Sequence, residues 1–231
     1  MSAPSCHLQS PQTLQELMQR AVSLAGYSLG DLAQIAGLQA PTDLRREKGW
    51  MGLLLERLLG AEAGSKPEPD FAHLGVELKT LPVDRHGKPL ESTFVAVAPA
   101  TGWHGVTWES SHVRQKLQAV LWIPILAERL IPPAERVIAR PFLWQPSCEQ
   151  EAQLRSDWQE LVELLALGQY QQINAYRGQY LQLRPKAANG RSKTHGLDAN
   201  GQAVAVQPKG FYLRSQFTAT LLQAAFPAAT S

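Results

Sequence analysis

Two carboxylates and one ammonium stand close together near the middle of the chain. Asp70 follows Pro69, and after six intervening residues comes Glu77-Leu78-Lys79. In an extended strand residues two apart share a face, so Glu77 and Lys79 point one way while Val76 and Leu78 point the other, toward a core. Asp70, arriving from the preceding loop, can then meet Glu77 across a bend. Two converging carboxylates repel and need a cation to be tolerated. A ligand set of hard oxygens without His or Cys selects Mg²⁺ or a similar ion. An ion so held can bind a phosphodiester oxygen, stabilise charge in the transition state and acidify a bound water. Lys79 could orient that water or neutralise the developing charge on the phosphate. Glu56 joins the candidates as the only acid in Leu53–Leu59, because a carboxylate amid leucines is best explained by a facing cation. A Glu-x-Lys ion pair on a solvated strand has the same pattern, so the spacing alone leaves both readings open.

These groups need rigid elements beneath them. Thr13-Leu-Gln-Glu16 is a capping box that starts a helix ending before Gly26, and Ser28 to Asp31 starts a second that runs to Gly37. Trp50 to Leu59 is a third, very apolar helix. Gly64 to Asp70 reads as a loop, and Gly75 to Leu81 alternates like a strand. Thr93–Ala98 and Ala119–Ile123 read as strands with a helix around Ser110–Leu117 between them. Val137–Leu143 reads as another, kept to an edge by Pro141. Glu149–Leu167 is the longest predicted helix, with Leu154, Trp158, Leu161 and Leu165 on one stripe. Tyr180–Leu183, Ala203–Val206 and Phe211–Leu213 are short strands, and Phe217–Ala225 is a last helix. Ala187 to Gln202 is rich in Gly, Asn, Ser and Lys and reads as a flexible loop. The class is mixed α and β, in one domain over residues 1–231.

With 231 residues, 44% of them hydrophobic and 18% charged, the chain can bury a core and is not disordered by composition. Its net charge of +2 is no argument for a nucleic-acid partner, but the distribution is. After Glu163 there are seven basic residues (Arg177, Arg184, Lys186, Arg191, Lys193, Lys209 and Arg214) against one acid, Asp198. A basic end on a neutral body reads as a surface for phosphate, a membrane headgroup or an acidic partner. Cys6 and Cys148 lack metal-ligand spacing, which points to a reduced, cytosolic compartment. No leader opens the chain, and the longest apolar stretch, Ala119 to Ala127, is far too short to span a membrane, so the expectation is a soluble cytoplasmic protein. Ser28–Leu38 has the cadence of a helix-turn-helix, though two packed amphipathic helices would look the same. The six histidines show no zinc spacing, and Ser110-Ser111-His112 is no triad.

Several blocks resemble one family. Gly64 to Asp70, followed by Leu74-Gly-Val-Glu-Leu-Lys-Thr80, closely resembles the MutH family of strand-nicking endonucleases of methyl-directed mismatch repair. Lys48-Gly-Trp50, Val106 to Arg114, Leu121-Trp-Ile-Pro124, Arg184 to Asn189 and Pro208-Lys-Gly-Phe-Tyr212 are similar to it too. The blocks run from about residue 25 to 225. The resemblance implies a restriction-endonuclease-like fold, with two subdomain arms around a DNA-binding cleft. It implies an enzyme that binds double-stranded DNA and, with Mg²⁺, nicks the unmethylated strand 5′ to the G of GATC when stimulated by MutL. Asp70, Glu77 and Lys79 are then catalytic, with Glu56 as an extra acid. Asp70, Glu77 and Glu56 become the metal ligands. Lys116 is implied near the scissile phosphate, and Arg184 and Tyr212 at the adenine methyl position. Lys48, Phe94, Pro185 and Lys186 are implied as further DNA contacts. One active site per chain suits a monomer that nicks. A GATC-specific restriction endonuclease and a noncatalytic DNA-binding adaptor are the rival functions; the adaptor has no need of an intact acid–acid–lysine set.

Overall fold

The structure is a computed structural model, and it describes residues 4, 9–44, 47, 49–62, 68–186 and 192–227. Lys48, Cys6, the segment 63–67 and residues 187–191 lie outside the described residues. In chain order the elements are α1 (Leu14–Ser23), α2 (Leu29–Ile35), α3 (Trp50–Leu59), β1 (Glu77–Val83), β2 (Thr93–Ala98), α4 (His112–Leu117) and β3 (Val120–Leu126). There follow β4 (Phe142–Trp144), α5 (Cys148–Ala166), β5 (Leu181–Pro185), β6 (Thr194–Leu197), β7 (Ala203–Val206), β8 (Lys209–Leu213) and α6 (Ser215–Ala225). The class is mixed α and β, as expected. The chain forms two compact units, one built from residues 1–91, 118–145 and 219–231, the other from 92–117 and 146–218.

The first unit packs three helices against a sheet of order β1-β3-β4. Helix starts follow from the sequence. The Thr13 hydroxyl accepts the Glu16 N–H, and Ser28 and Asp31 cap α2 reciprocally. β1 and β3 run parallel, from Glu77 opposite Val120 to Val83 opposite Leu126. A parallel pair is covered on both faces, and β3 accordingly reads Val-Leu-Trp-Ile-Pro-Ile-Leu, nearly all of it buried. The core joins Leu54, Leu55, Leu58 and Leu59 of α3 to Val76, Leu78, Leu121 and Ile123. Leu29, Leu32 and Ala33 of α2 are buried in the same core, so the helix-turn-helix cadence there serves packing.

Two strands differ from expectation because of proline. β3 continues past Ile123 through Pro124. The Pro124 carbonyl accepts the Ala139 N–H at 2.9 Å, so its missing donor faces that loop and not the ladder with β1. The predicted strand Val137–Leu143 breaks up instead. Val137 and Ile138 make isolated bridges to Ser28 and Ile125, and pairing resumes only after Pro141, as β4.

The second unit carries an antiparallel sheet of order β2-β8-β5. Leu181, Leu183, Phe211 and Leu213 are buried, and Trp103 packs edge-on against both Phe211 and Trp158. Within the stretch expected to be a loop, Thr194–Leu197 pairs with Ala203–Val206 as a hairpin. Its turn is made by Asp198, whose Oδ1 accepts the N–H groups of Asn200 and Gln202 at 2.9 and 2.8 Å, and by Gly201 at φ +76°. The Tyr170 hydroxyl secures this hairpin, accepting the Leu197 N–H while donating to the Ala100 carbonyl.

Asp157 of α5 is the polar anchor of the unit. Its carboxylate, 3% exposed, accepts the N–H groups of Gln179, Tyr180 and Leu181 at 2.9, 2.6 and 2.8 Å, and also the Gln153 amide. It thereby fixes the entry to β5. Asp157→Ala would strand three backbone donors and should destabilise the protein by about 3 kcal/mol or more in urea unfolding, with Asp157→Asn losing less.

Candidate functional site

The acid–acid–lysine set lies wholly in the first unit. Phe71 and Val76 bridge across a 3-10 turn, Ala72–Leu74, which Gly75 closes at φ +66°; this bend returns the chain so that Asp70 lies beside β1. The Asp70 Oδ2 accepts the Leu78 N–H at 2.8 Å, within the triplet that carries Glu77 and Lys79. The expected meeting across a bend therefore occurs at the strand backbone. Asp70 and Glu77 are 8% and 2% exposed. The Lys79 ammonium, also largely buried, donates to Glu77 Oε1 at 2.5 Å. This is no solvated strand pair, because a buried carboxylate is tolerated only with such a partner.

Asp70 and Glu77 present buried, hard oxygen donors. That donor chemistry fits a divalent cation of the Mg²⁺ class. Glu56 is half-buried on α3, which packs against β1. Among the described residues, no three His, Cys, Asp or Glu side chains group as a metal site, so the compact acid set is the pair Asp70 and Glu77.

The remaining predicted residues fall in the second unit, apart from Lys48, which lies outside the described residues. Lys116 is half-buried on α4. Its neighbour Arg114 is taken up by Glu151, to which it donates at 2.9 Å. Phe94, Tyr212, Arg184 and Lys186 come together on one face of the β2-β8-β5 sheet. Cross-strand register sets this. Gln182 stands opposite Tyr212 and Tyr212 opposite Phe94, while Arg184 and Val97 both stand opposite Gly210. Gly210 leaves a gap in the second row, and the Phe94 ring fills it. A Cβ there would sit 2.9 Å from Phe94 Cε2 and 3.2 Å from the Ala96 carbonyl oxygen. Phe94 meets Tyr212 edge-on with ring centroids 5.4 Å apart, and the Lys186 ammonium lies over the Phe94 ring, 3.1 Å from its centroid. The Arg184 guanidinium is 5.9 Å from the Tyr212 centroid and donates to the Ser92 hydroxyl at 2.5 Å. Pro185 is exposed at the end of β5 opposite Lys209, whose ammonium burial pushes below its usual pKa.

Two cations of the basic tail have structural duties. Arg177 pairs with Glu160, and Arg214 donates to the carbonyls of Ala175, Arg177 and Gly178. Residue-by-residue reading missed Ser92, Gln182 and Gly210. The period-two spacing of Gln182, Arg184 and Lys186 along β5 is the signal that places Gln182 on the same face. Gly210→Ala should displace the Phe94 ring and cost about 1–3 kcal/mol, and Phe94→Ala in the same chain should recover most of that loss in urea titrations.

The family model for the DNA mismatch repair enzyme MutH matches residues 59–157. The DNA mismatch repair protein MutH of Pectobacterium atrosepticum is 58% identical over 222 residues, covering 96% of each chain. That of Vibrio cholerae is 59% identical over 214 residues, 93% of this chain and 97% of its own. That of Escherichia coli O139:H28 is 55% identical over 222 residues, 96% of this chain and 97% of its own.

Proposed function

The chain belongs to the MutH family of DNA mismatch repair endonucleases, and from that membership we propose a Mg²⁺-dependent enzyme that nicks the unmethylated strand of GATC sites 5′ to the G, stimulated by MutL. The restriction-endonuclease-like fold of the family accords with the mixed α and β architecture described above. The observation that carries the proposal is the burial of Glu77 against Lys79 on β1, with Asp70 buried beside them on the Leu78 N–H. A set of charges this costly to bury is accounted for by hydrolysis at a phosphodiester.

Asp70 and Glu77 would hold the ion, with Glu56 contributing from α3. Bound there, Mg²⁺ supplies charge neutralisation at the scissile phosphate and acidifies a water. Lys79 then has two tasks. It fixes the Glu77 carboxylate in place, and its ammonium is positioned to orient the attacking water. Attack at phosphorus breaks the bond to the leaving sugar oxygen, and that oxygen takes up a proton. The second unit supplies recognition. Lys116 and Lys186 offer charge to DNA phosphates, while Arg184, Pro185, Phe94 and Tyr212 present a base-reading face, and Lys48 is proposed as a further contact. Adenine shows its N6 amine in the major groove, and a tyrosine at that position has little rotamer freedom to make room for a methyl group. We place the protein in the cytoplasm as a monomer; no helix among the described residues is long and apolar enough to cross a membrane.

Plasmid nicking with Mg²⁺, with and without MutL, tests the whole reading. Asp70→Asn and Glu77→Ala should abolish nicking while DNA affinity, measured by fluorescence anisotropy, stays near that of the unmodified protein. Full activity in Asp70→Asn would sink the assignment. Tyr212→Ala should narrow the rate gap between unmethylated, hemimethylated and fully methylated GATC by roughly ten- to hundredfold. An unchanged ratio at lower rate would make Tyr212 structural only.

A further inference from the structure

Before α1, the segment Gln9–Pro11 touches both parts of the first unit that carry its acids. Ser10 and Pro11 are buried, and the Ser10 hydroxyl has no hydrogen-bond partner among the described residues. Side chains grip the segment by its carbonyls instead. One nitrogen of the Arg20 guanidinium donates to the Gln9 carbonyl at 2.7 Å and to the Leu59 carbonyl at 3.0 Å, which pins the segment to the end of α3. Gly60 follows at φ +78°, and a Cβ there would sit 2.5 Å from the Gln9 carbonyl oxygen, so this close approach requires glycine. At the other end His73 Nε2 lies 2.7 Å from the Pro11 carbonyl oxygen. A carbonyl only accepts, so Nε2 carries the proton and donates it. His73 is the middle residue of the 3-10 turn Ala72–Leu74, and Asp70 and Glu77 stand immediately outside the Phe71–Val76 bridge that closes this turn.

We propose that His73 is a positioning residue for the metal site, the latch through which Gln9–Pro11 holds the Asp70 bend to the end of α3. The inference rests on the metal-dependent nuclease reading above. Glu56 lies one helical turn before the pinned end of α3, where its carbonyl accepts the N–H groups of Gly60 and Ala61 at 2.9 Å each. From there the Glu62 N–H donates to the Asp70 carbonyl at 3.2 Å. The strap closes a second link between the helix that carries Glu56 and the bend that carries Asp70 and Glu77. Carboxylates gathered for a cation repel one another until it arrives. Mg²⁺ demands near-ideal ligand geometry, so a set that drifts apart binds it less tightly. A hydrogen bond at the middle of the bend restrains the acids at both of its stems together. His73 is exposed and three residues from Asp70, so it acts through the bend and takes no part in the chemistry.

The test reads metal binding apart from catalysis. The unmodified protein is compared with His73→Ala and with His73→Gln, whose amide can place a donor near the position of Nε2. Mn²⁺ binding is followed by calorimetry on the metal-free protein, DNA affinity by fluorescence anisotropy in metal-free buffer, and plasmid nicking as a function of Mg²⁺ concentration. His73→Ala should raise the Mn²⁺ Kd and the half-saturating Mg²⁺ concentration by roughly two- to tenfold, the worth of one hydrogen bond, while DNA affinity and the preference for GATC stay unchanged. His73→Gln should recover most of that loss. A lower melting temperature in His73→Ala with unchanged Mn²⁺ and Mg²⁺ curves would overturn the proposal, leaving the strap a stabilising contact only. No recovery in His73→Gln would also overturn it, by assigning the effect to packing of the ring. If the unmodified protein neither binds Mn²⁺ nor nicks GATC plasmid, the functional reading itself fails and the latch with it, an outcome recognisable without either variant.

Discussion

Burying the Glu77 carboxylate is the constraint around which the first unit is organised. Removing a carboxylate from water costs several kcal/mol even after relaxation, and β1 offers no escape to solvent because the strand is covered on both faces. The charge is met two residues away by Lys79, on the same side of the same strand. The Leu78 N–H between them holds Asp70 in place. The leucines of α3 and the run of β3 make the surroundings largely apolar, and low polarity strengthens each of these charged contacts. A loosely held acid set would be costly in such a core.

The second unit shows the complementary strategy. Two of its cations are exposed yet ordered: Arg184 donates to a hydroxyl, and the Lys186 ammonium lies over an aromatic ring. A neutral partner orients a cation without cancelling its charge. Carboxylates meet Arg114, Arg155 and Arg177, and backbone carbonyls meet Arg214, all of which brace the unit. Asp157, at the start of β5, fixes the strand on which Arg184 and Lys186 are displayed.

Most of the frame was legible in the sequence because local signals and tertiary packing agree. The caps at Thr13 and Ser28 start their helices, and Thr93–Ala98 and Ala203–Val206 are strands at the expected residues. That Glu77 and Lys79 share a face was legible in their spacing, since a strand puts residues two apart on one side. The hairpin at Thr194–Leu197 was obscured by its polar composition, although Asp198-Ala-Asn-Gly201 carries a turn signal that was there to use. Pro124 and Pro141 misled in opposite directions, because the effect of a missing donor depends on which neighbour it faces. The contact of Ser92 with Arg184 was out of reach of residue typing, because it joins residues far apart in the chain.

The two units are interleaved along the chain, and this governs how the protein can be made. The first needs residues 219–231 to complete it, and the sheet of the second needs β8, which begins at Lys209. On a ribosome adding residues at ordinary speed, a chain of this length takes roughly ten to fifty seconds to appear. For nearly all of that time neither unit has its full set of strands and helices. β1 and β3, both largely apolar, emerge long before their unit can close. Folding of each unit is therefore deferred until its late elements emerge, and until then these apolar strands lack the partners that cover them.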